Sequence, residues 1–360
     1  MKDLAYFDKN FKIDPRIDQK ILERLDFFDP KEAPFEINGL LFENGRFRRV
    51  PEQVAKSTSE GVYNLHTNTA GGRIRFTSDT RFVAIRVKLP ATPGMPHMTL
   101  LCNSGFDLYA SDIDGENKNE RYFGSLIPLM GYKEGYEAIV ALPDKKMRSF
   151  TINMPLYHNV DEVYVALEKG SALSSPSPLI QPPVVYYGSS ITQGGCASRP
   201  GASYQAIIHR KIPYDYINLG FSGNCRAEEA MIDYISSLDM SVFVYDYDHN
   251  APNPEHLRKT HLRGYEYIRK KNPDLPIIMM TRPKYYLNSD ELERLDIVKK
   301  TFEYGIGNGD KNLYFIDGRE LLDEETREIA LVDNTHPADA GFNSMARRLL
   351  PVIKEALNIQ

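Results

Sequence analysis

A serine that could act as a nucleophile stands near the middle of the chain, in the tripeptide Gly188-Ser189-Ser190. Residues 184–187, which are β-branched or aromatic, precede it, and two adjacent glycines follow shortly after it. The pattern predicts a buried strand that ends in a tight turn, where a serine hydroxyl can face a ligand. A serine in a turn is more often part of an ordinary solvated loop, so the rest of the chain must supply its partners.

An aspartate and a histidine stand three residues apart near the C-terminus, at Asp333 and His336. A serine hydroxyl is a poor nucleophile until a base takes its proton, and a histidine does this well when a carboxylate holds its tautomer. The spacing allows the carboxylate to reach the ring across one turn of backbone. Taken alone, the same residues would more often form a surface turn ahead of a helix that Asp339 caps.

Another group of polar residues, Asp246-Tyr247-Asp248-His249-Asn250, ends a short apolar run. Ligands of parallel α/β sheets bind at the carboxyl ends of the strands, so this group is a candidate for the same site. We interpret Asp246, Tyr247 and Asp248 as pocket residues that bind substrate hydroxyls, with ordinary strand-end turn residues as an equal alternative. We interpret His249 as structural, because a second catalytic histidine is unnecessary.

The second half of the chain alternates short apolar runs with segments of helical period. The runs predicted as strands cover residues 184–187, 214–219, 242–247, 277–280 and 313–316. The last predicted helix has one apolar stripe, formed by Phe342, Met345, Ala346, Leu349, Leu350 and Ile353. Strands and helices in alternation predict an α/β domain, with a parallel sheet that carries helices on both faces.

The preceding region, residues 35–170, contains many short strands and hardly any segment of helical period. In residues 82–89 apolar side chains alternate with other residues, which places one face in a core and the other toward water. Further strands are predicted at residues 73–76, 98–102, 137–142, 149–154 and 162–167. Short strands separated by turn residues predict an antiparallel β-sandwich.

The chain therefore divides into four predicted segments. Residues 1–34 form a lead-in that packs on one of the domains, and residues 35–170 form the all-β accessory domain. Residues 171–183 are rich in serine and proline, which cannot continue a sheet ladder, so we predict a linker there. Residues 184–360 form the α/β domain.

The composition is that of a globular protein and excludes several classes of function. The chain has 360 residues, of which 42% are hydrophobic and 26% are charged, and its net charge is -5. Without a basic surface we expect no nucleic-acid partner. No apolar run could span a bilayer and no signal-type segment starts the chain, so we expect no membrane partner and a cytoplasmic location, with a trimmed secreted protein as the alternative. Nothing in the sequence indicates the oligomeric state.

Cysteine and histidine patterns give no sign of a metal site. Cys102, Cys196 and Cys225 are too few and too scattered for a disulfide framework or a zinc site, and we expect free thiols. His256 and His261 are five residues apart, which does not place them on one helical face.

Four separated blocks of the sequence resemble those of the SGNH (GDSL-type) serine esterases and acylhydrolases, a family named for a serine, a glycine, an asparagine and a histidine. Ser190, Gly223, Asn250 and His336 stand in these blocks, in the family's order. The resemblance covers the region from about residue 184 to 357. It implies a flavodoxin-like α/β domain with a five-stranded parallel sheet between helices.

The resemblance implies a catalytic triad. Ser190 would be the nucleophile, His336 the general base, and Asp333 the carboxylate that orients His336. Ser189 stands where the family's first block normally has aspartate, which leaves the hydrogen bonding of this turn open.

The resemblance also implies an oxyanion hole. Its donors would be the N–H groups of Ser190 and Gly223 and the side-chain amide of Asn250, with Asn224 as the rival of Asn250. Glycine suits a backbone N–H that must approach the substrate closely, because it has no Cβ. Around Asn250 the family's Gly-x-Asn-Asp pattern is replaced by Asp-His-Asn-Ala.

A second resemblance concerns the first domain. Gly105-Phe106-Asp107-Leu108-Tyr109 is similar to the Gly-x-Asp-Leu-Tyr motif of a β-sandwich domain that precedes SGNH domains in some bacterial members. It implies a jelly-roll-like sandwich packed on the catalytic domain.

Together these features predict a serine esterase that removes acyl groups, above all O-acetyl groups, from a carbohydrate through an acyl-enzyme, without a metal or organic cofactor. The expected partner is a small-molecule or oligosaccharide ester. One alternative is an acyltransferase, in which an acceptor hydroxyl replaces water. Another is a carbohydrate-binding protein without activity, although such a protein has no need of an intact serine, histidine and aspartate set.

Overall fold

A computed structural model of the chain describes residues 17–92, 94–113 and 120–359. Residues 1–16 of the predicted lead-in lie outside the described residues. The described part begins with a short helix, α1 (Gln19–Leu22), whose cap Asp18 accepts a hydrogen bond from the N–H of Lys20 at 2.8 Å. Ile17 and Leu25, on either side of this helix, are buried together with Ala84 and Ala166 of the first domain.

Antiparallel sheets dominate the region up to residue 174. Their strands are β1 (Leu25–Phe28), β2 (Glu36–Asn38), β3 (Leu41–Glu43), β4 (Arg46–Arg48), β5 (Arg73–Ser78), β6 (Phe82–Lys88), β7 (Phe106–Asp112), β8 (Arg121–Leu126), β9 (Gly135–Ala141), β10 (Arg148–Asn153), β11 (Glu162–Glu168) and β12 (Leu173–Ser174). One sheet has the order β1-β11-β6-β9 and the other the order β12-β5-β10-β7-β8, with β2 paired to β5 and a separate β3-β4 hairpin. The two larger sheets enclose one core, so the predicted β-sandwich is confirmed.

Side-chain alternation explains how a strand such as β6 is held in the sandwich. Val83, Ile85 and Val87 are buried in the core between the sheets. Arg86 is exposed on the opposite face and donates to the Oε1 atom of Glu137 on β9 at 2.6 Å. The period of two therefore places an apolar face inward and a charged face toward solvent.

Three helices correct the expectation of an almost helix-free first domain: α2 (Glu52–Thr58), α3 (Glu60–Leu65) and α4 (Leu100–Ser104). Residues 98–102 were predicted as a strand, and this prediction is wrong. The Oγ1 atom of Thr99 accepts a hydrogen bond from the N–H of Cys102 at 3.0 Å and so caps α4. Such a cap satisfies an N–H group that has no partner within the helix. The cap favours a helix here, although the apolar composition of the run is typical of a strand.

The predicted linker also contains regular structure. β12 lies within residues 171–183 and pairs with β5 of the sandwich. The first strand of the parallel sheet, β13 (Ile180–Gly188), starts at Ile180, which pairs with Tyr214. The register then breaks until Val184. Two prolines lie in that gap, and because proline has no N–H, the ladder cannot continue through them.

The second half of the chain forms the predicted five-stranded parallel sheet between helices. Its strands are β13, β14 (Tyr214–Gly220), β15 (Val242–Asp246), β16 (Ile277–Met280) and β17 (Leu313–Ile316), in the order β14-β13-β15-β16-β17. Its helices are α5 (Ser190–Gln193), α6 (Tyr204–His209), α7 (Glu229–Ser236), α8 (Pro254–Lys271), α9 (Ser289–Gly307) and α10 (Asp339–Ala356). The fold class predicted from the sequence is therefore confirmed.

Each face of this sheet has its own apolar core. On β13, Val185 and Tyr187 point to the core shared with α7, α8 and α9. Val184 and Tyr186 point to the other core, which α6 and α10 cover. The apolar stripe predicted for the last helix lies in this second core, although its N-cap is Ala338 and not Asp339. Among the described residues, no helix combines the length and the apolar composition required to cross a membrane.

A buried ion pair joins the two halves of the molecule. Arg73 on β5 contacts the carboxylate of Asp215 on β14, and its guanidinium group also lies 3.7 Å from the ring centroid of Tyr216. Burial tends to raise the pKa of Asp215, but the charge of Arg73 and several hydrogen bonds hold this pKa below its usual value. The carboxylate is therefore stabilised in its ionised form at the junction.

The aspartate of the Gly-x-Asp-Leu-Tyr motif forms a second junction. One oxygen of Asp107 accepts from the Nδ2 atom of Asn153, and the other accepts from the N–H of Gly201 in the α/β half, both at 2.8 Å. Tyr109 lies next to the same segment, because Arg199 donates to its hydroxyl at 3.2 Å. Burial raises the pKa of Asp107 to about 6. The motif thus binds the α/β half as well as packing within the sandwich.

Removing the charge of Asp215 should destabilise the folded chain. We expect Asp215→Asn to lower the free energy of unfolding by about 3 kcal/mol, because Arg73 would stay buried without a counter-charge. Glu137→Gln, which affects the exposed pair with Arg86, should cost less than about 1 kcal/mol. Urea denaturation of the variants measures both changes.

The pH dependence of the Asp215→Asn effect provides a check. Because the folded-state pKa of Asp215 is lowered, its contribution is fully present above the unfolded-state pKa of about 4 and is lost as the pH falls through the folded value. The difference between wild type and variant should shrink only in acid. A difference that stayed constant down to the acid transition would contradict the ion-pair explanation.

Candidate active site

The turn after β13 places Ser190 at the start of α5. Ser189 is fully buried and is the N-cap of this helix, where its Oγ atom accepts a hydrogen bond from the N–H of Ile191 at 3.0 Å. The helix ends at Gly194, whose φ of 111° is a left-handed conformation that favours glycine. Ser189 therefore has a structural function in the turn, and Ser190 is the serine that faces the other site residues.

Three predicted residues form a continuous hydrogen-bonded chain. The Oγ atom of Ser190 lies 2.9 Å from the Nε2 atom of His336. The Nδ1 atom of His336 lies 2.8 Å from the Oδ2 atom of Asp333. The structure thus brings together residues that are 146 positions apart in the sequence, in a geometry that permits transfer of a proton from serine to histidine.

The carboxylate of Asp333 is held by more than the histidine ring. Its Oδ1 atom accepts from the backbone N–H groups of His336 at 2.8 Å and Thr335 at 3.1 Å. Burial tends to raise the pKa of Asp333, but hydrogen bonds from the backbone and ring of His336 outweigh it and lower this pKa. An ionised Asp333 favours the tautomer that carries the proton on Nδ1 of His336, which leaves Nε2 free to accept from Ser190.

The loop that carries Asp333 and His336 is closed by its own contacts. Leu331 pairs with Pro337, and the N–H of Val332 donates to the carbonyl oxygen of His336 at 2.8 Å. Arg282, which follows β16, donates from its Nη2 atom to the hydroxyl of Thr335 at 2.6 Å. The loop is therefore fixed to the carboxyl edge of the sheet.

The candidate oxyanion donors lie in the loops after β14 and β15. Gly223 is exposed with a φ of 68°, and its neighbour Ser222 donates from its N–H to the side chain of Gln193 in α5 at 3.0 Å. The side-chain oxygen of Asn250 accepts from the N–H of Cys225 at 3.4 Å. In the part of the chain that the structure describes, no acceptor contacts the Nδ2 atom of Asn250, so this amide is available to a ligand.

Asn224 is less suited to donate to a ligand. Its Nδ2 atom already donates to the carbonyl oxygen of Ser222 at 2.7 Å. Its side chain also packs directly on Gly61 of α3, where an added Cβ would lie 1.9 Å from the Asn224 oxygen. The structure therefore favours Asn250 over Asn224 as the amide donor.

The interpretation of Asp246, Tyr247 and Asp248 as substrate-binding residues requires correction. Their exposed fractions are 0%, 0% and 3%. Asp246 accepts from the hydroxyl of Thr192 in α5 at 3.0 Å, so it lies beneath the helix that carries the serine. Burial, and then the charge of Asp248, raises the pKa of Asp246 well above its usual range.

The other two side chains are also directed into the protein. The ring of Tyr247 packs in the core, and its hydroxyl lies 2.7 Å from that of Thr260. Asp248 pairs with the Nδ1 atom of His249 at 3.0 Å and accepts from the N–H of Arg282 at 3.2 Å. Because this strand end is covered on both faces, successive side chains all point into protein.

Residues of the sandwich contact the serine-bearing helix, and sequence reasoning missed them. The hydroxyl of Tyr157 donates to the carbonyl oxygen of Ser190 at 2.9 Å. The Nε2 atom of Gln193 donates to the side chain of Asn68 and to the carbonyl oxygen of Leu156, both at 3.1 Å. No spacing or motif links these residues to Ser190, because the contacts depend on how the two halves pack.

Among the residues that the structure describes, two groups of side chains could together hold a metal ion, and in both some of the potential ligand atoms already have other partners. His97, Cys196 and His336 offer atoms within 4.8 Å of one another, but both ring nitrogens of His336 are already used by Ser190 and Asp333. Burial and the charge of Asp333 raise the pKa of Cys196 to about 12, which disfavours the thiolate. In the other group, Asp246 accepts from Thr192, and Asp248 is bonded to the Nδ1 atom of His249 and to the N–H of Arg282.

Family models match almost the whole described chain. Residues 181–354 match the model of the GDSL-like lipase/acylhydrolase family. Residues 25–173 match the model described as the N-terminus of the SGNH-hydrolase-type esterases, the GxDLY domain. No curated protein matched the chain in sequence.

Solved structures share the fold over nearly the full length. A protein of Bacteroides ovatus ATCC 8483, described as a GDSL-like lipase, has a TM-score of 0.84 and 26% identity and covers 93% of this chain and 99% of its own. The salicylyl-acyltransferase SsfX3 of a tetracycline biosynthetic pathway has a TM-score of 0.72, 20% identity and coverage of 94% and 99%. A family two carbohydrate esterase of Clostridium thermocellum, in complex with cellohexaose, has a TM-score of 0.57, 15% identity and coverage of 90% and 99%.

Loss of the Ser189 cap should weaken the turn that carries Ser190. We expect Ser189→Ala to lower the free energy of unfolding by about 1 kcal/mol, because the N–H of Ile191 would lose its acceptor. Ser189→Asp retains a side-chain oxygen that can accept this hydrogen bond and should cost less. Thermal unfolding of the two variants distinguishes these results, and an equal loss in both would show that capping is not what Ser189 contributes.

Proposed function

We propose, since this chain belongs to the GDSL-like lipase/acylhydrolase family and is a carboxylic ester hydrolase, that it removes O-acetyl groups from a carbohydrate by means of Ser190, His336 and Asp333. The observation that carries the proposal is the unbroken hydrogen-bonded chain from the hydroxyl of Ser190 to the carboxylate of Asp333. This arrangement supplies a nucleophile, a base and an orienting group in mutual contact.

The first half of the proposed reaction forms an acyl-enzyme. The Oγ atom of Ser190 attacks the carbonyl carbon of the ester while the Nε2 atom of His336 takes its proton. Asp333 stabilises the resulting imidazolium through Nδ1. The tetrahedral intermediate then expels the sugar oxygen, which receives the proton from Nε2, so the sugar hydroxyl leaves and the acetyl group stays on Ser190.

The second half repeats these steps with water. His336 removes a proton from a water molecule, whose oxygen attacks the acetyl-serine carbonyl carbon. When this second intermediate collapses, the bond to Ser190 Oγ breaks, acetate is released, and His336 returns the proton to the serine. In both halves the N–H groups of Ser190 and Gly223 and the amide of Asn250 would donate to the negatively charged oxygen.

The three residues of the proposed triad do not determine which ester is cleaved, so the choice of a carbohydrate ester rests on other observations. The family two carbohydrate esterases have the same two-part fold, although at these identities the likeness concerns the fold alone. Since Asp246, Tyr247 and Asp248 are buried, they do not support the sugar assignment. Support from this chain must come from exposed groups beside Asp333 and His336.

The alternative is an acyltransferase, in which an acceptor hydroxyl would replace water in the second half of the reaction, and one solved structure of the same fold is a salicylyl-acyltransferase. A non-catalytic carbohydrate-binding protein is the less supported alternative, since a binder gains nothing from a connected Ser190, His336 and Asp333.

Disruption of the triad should abolish turnover but preserve binding. With p-nitrophenyl acetate, Ser190→Ala should reduce activity to background, and Asp333→Asn should lower kcat about 100- to 10,000-fold with little change in KM, because His336 would lose its orienting charge. Asp290→Asn, at the exposed start of α9, is the matched control and should leave kcat unchanged.

Wild-type activity in Ser190→Ala would refute the esterase mechanism.

Product analysis with an acetylated oligosaccharide and an added acceptor sugar separates the hydrolase from the acyltransferase. Predominant transfer of acetyl to the acceptor at millimolar concentration would replace hydrolysis by the acyltransferase alternative.

The two asparagines should differ in their effect on the rate. Asn250→Ala should lower kcat about 100- to 1,000-fold, the usual cost of losing one oxyanion donor, without raising KM. Asn224→Ala should lower kcat less than about 10-fold, because its amide is bonded to Ser222. Steady-state kinetics with p-nitrophenyl acetate test both, and the reverse order would assign the donor to Asn224.

A further inference from the structure

A surface pocket lies beside the loop that carries Asp333 and His336. Its volume is about 220 Å³, and Asn334 and Leu331 of that loop form part of its lining. Drug-sized ligands occupy pockets of about 300–1,000 Å³, so this pocket suits a smaller group such as one ring. A ligand bound here would contact Asn334, which directly follows Asp333 in the chain.

Two adjacent tyrosines form the opposite wall of this pocket. Tyr286 is 69% exposed and Tyr285 is 41% exposed, with their rings edge to face at a centroid distance of 5.0 Å. Arg327 covers one face of Tyr285, since its guanidinium carbon lies 3.6 Å from the ring centroid. Tyr286 is therefore a free aromatic surface, and neighbouring exposed aromatic residues are typical of a binding site.

Hydrogen bonds at both ends hold the segment from Arg282 to Asn288, which carries the two tyrosines, next to the loop from Leu331 to Pro337. Arg282, three residues before Tyr285, donates to the hydroxyl of Thr335 at 2.6 Å and to Glu291 at 2.7 Å. At the other end of the segment, Asn288 and Glu291 form a capping box that starts α9. The two walls of the pocket thus have fixed positions relative to His336.

The lining combines aromatic with charged and polar side chains. Lys284, Arg327, Glu328 and Asn334 surround the tyrosines. An alkyl chain would desolvate these groups without bonding to them, which costs free energy. A pyranose ring has an apolar C–H face that packs on a tyrosine and hydroxyl groups that bond to such polar neighbours.

We propose that Tyr286 and the pocket beside Asn334 form a subsite for a sugar residue next to the acylated one, so that the substrate is an oligosaccharide and not a single acetylated sugar. The proposal rests on the proposed carbohydrate esterase function. It names a part of the chain that contacts substrate away from the reacting ester and so contributes to binding more than to turnover.

Kinetics of a Tyr286→Ala variant test the subsite. With acetylated xylo-oligosaccharides, KM should rise about 3- to 10-fold while kcat stays unchanged, because stacking on the ring contributes to ground-state and transition-state binding equally. With p-nitrophenyl acetate, which has no neighbouring sugar, kcat/KM should not change. Tyr304→Ala is the matched control, since Tyr304 is 44% exposed and lies roughly 22 Å further along α9.

Substrates with other acyl groups separate the sugar from an acyl chain. If Tyr286→Ala raised KM for p-nitrophenyl octanoate but not for the acetylated oligosaccharides, the pocket would bind acyl chains and the proposal would be overturned. An unchanged KM for every substrate would overturn it as well.

A binding measurement keeps this test independent of the reaction. Calorimetry with cellohexaose and with xylohexaose, on Ser190→Ala protein with and without Tyr286→Ala, should show a 3- to 10-fold loss of affinity for one of these probes. If Ser190→Ala left hydrolysis intact, the proposed mechanism would fail while the calorimetry still decided the subsite. If neither probe bound, the sugar subsite would be refuted whatever the activity.

Discussion

The helix that carries Ser190 has only four residues, and a helix so short has no stability of its own in water. Its position must come from contacts with the rest of the molecule. The carbonyl oxygen of Thr192 accepts from Gln205 of α6 and Asn218 of β14, both at 2.7 Å. From below, the carboxyl group of Asp246 accepts a hydrogen bond from the hydroxyl of Thr192 at 3.0 Å. The buried carboxyl group that resembles a binding residue in the sequence is thus a support for this helix.

The sandwich supplies the remaining supports. Gln193 donates to Asn68 and Leu156, and Tyr157 donates to the carbonyl oxygen of Ser190. These contacts involve the backbone and a neighbouring side chain, and none involves the serine Oγ atom. The sandwich therefore helps to position the hydroxyl of Ser190, whereas the proposed partners of this hydroxyl, His336 and Asp333, come from the α/β half. This division explains why the junctions between the halves are buried and charged: small relative shifts would move Ser190 with respect to His336.

Residue periodicity predicted much of the architecture, and the predictions that were wrong have physical explanations. Alternating periods predicted the sandwich, and apolar runs between segments of helical period predicted the parallel sheet and the last helix. The segment 98–102 was misread because one cap at Thr99 decided its structure. Asp246 to Asp248 were misread because a strand end buried on both faces gives no pattern that separates inward from outward side chains. Tyr157 and Asn68 were missed because their contacts arise only when the two halves pack.

The loop from Leu331 to Pro337 carries two residues of the proposed triad and also lines the neighbouring pocket. Asp333 and His336 of this loop form the hydrogen-bonded chain to Ser190, and Leu331 and Asn334 line the pocket beside Tyr286. The hydrogen bond from Arg282 to Thr335 ties this loop to the segment that carries Tyr286, so its loss would affect the proposed base, His336, together with the pocket. Tyr286 and Glu328 line the pocket but take no part in the contact between Arg282 and Thr335. Substitutions at these two residues can therefore change which ligand the pocket binds. Such side chains can vary the ligand because they leave the position of His336 unchanged.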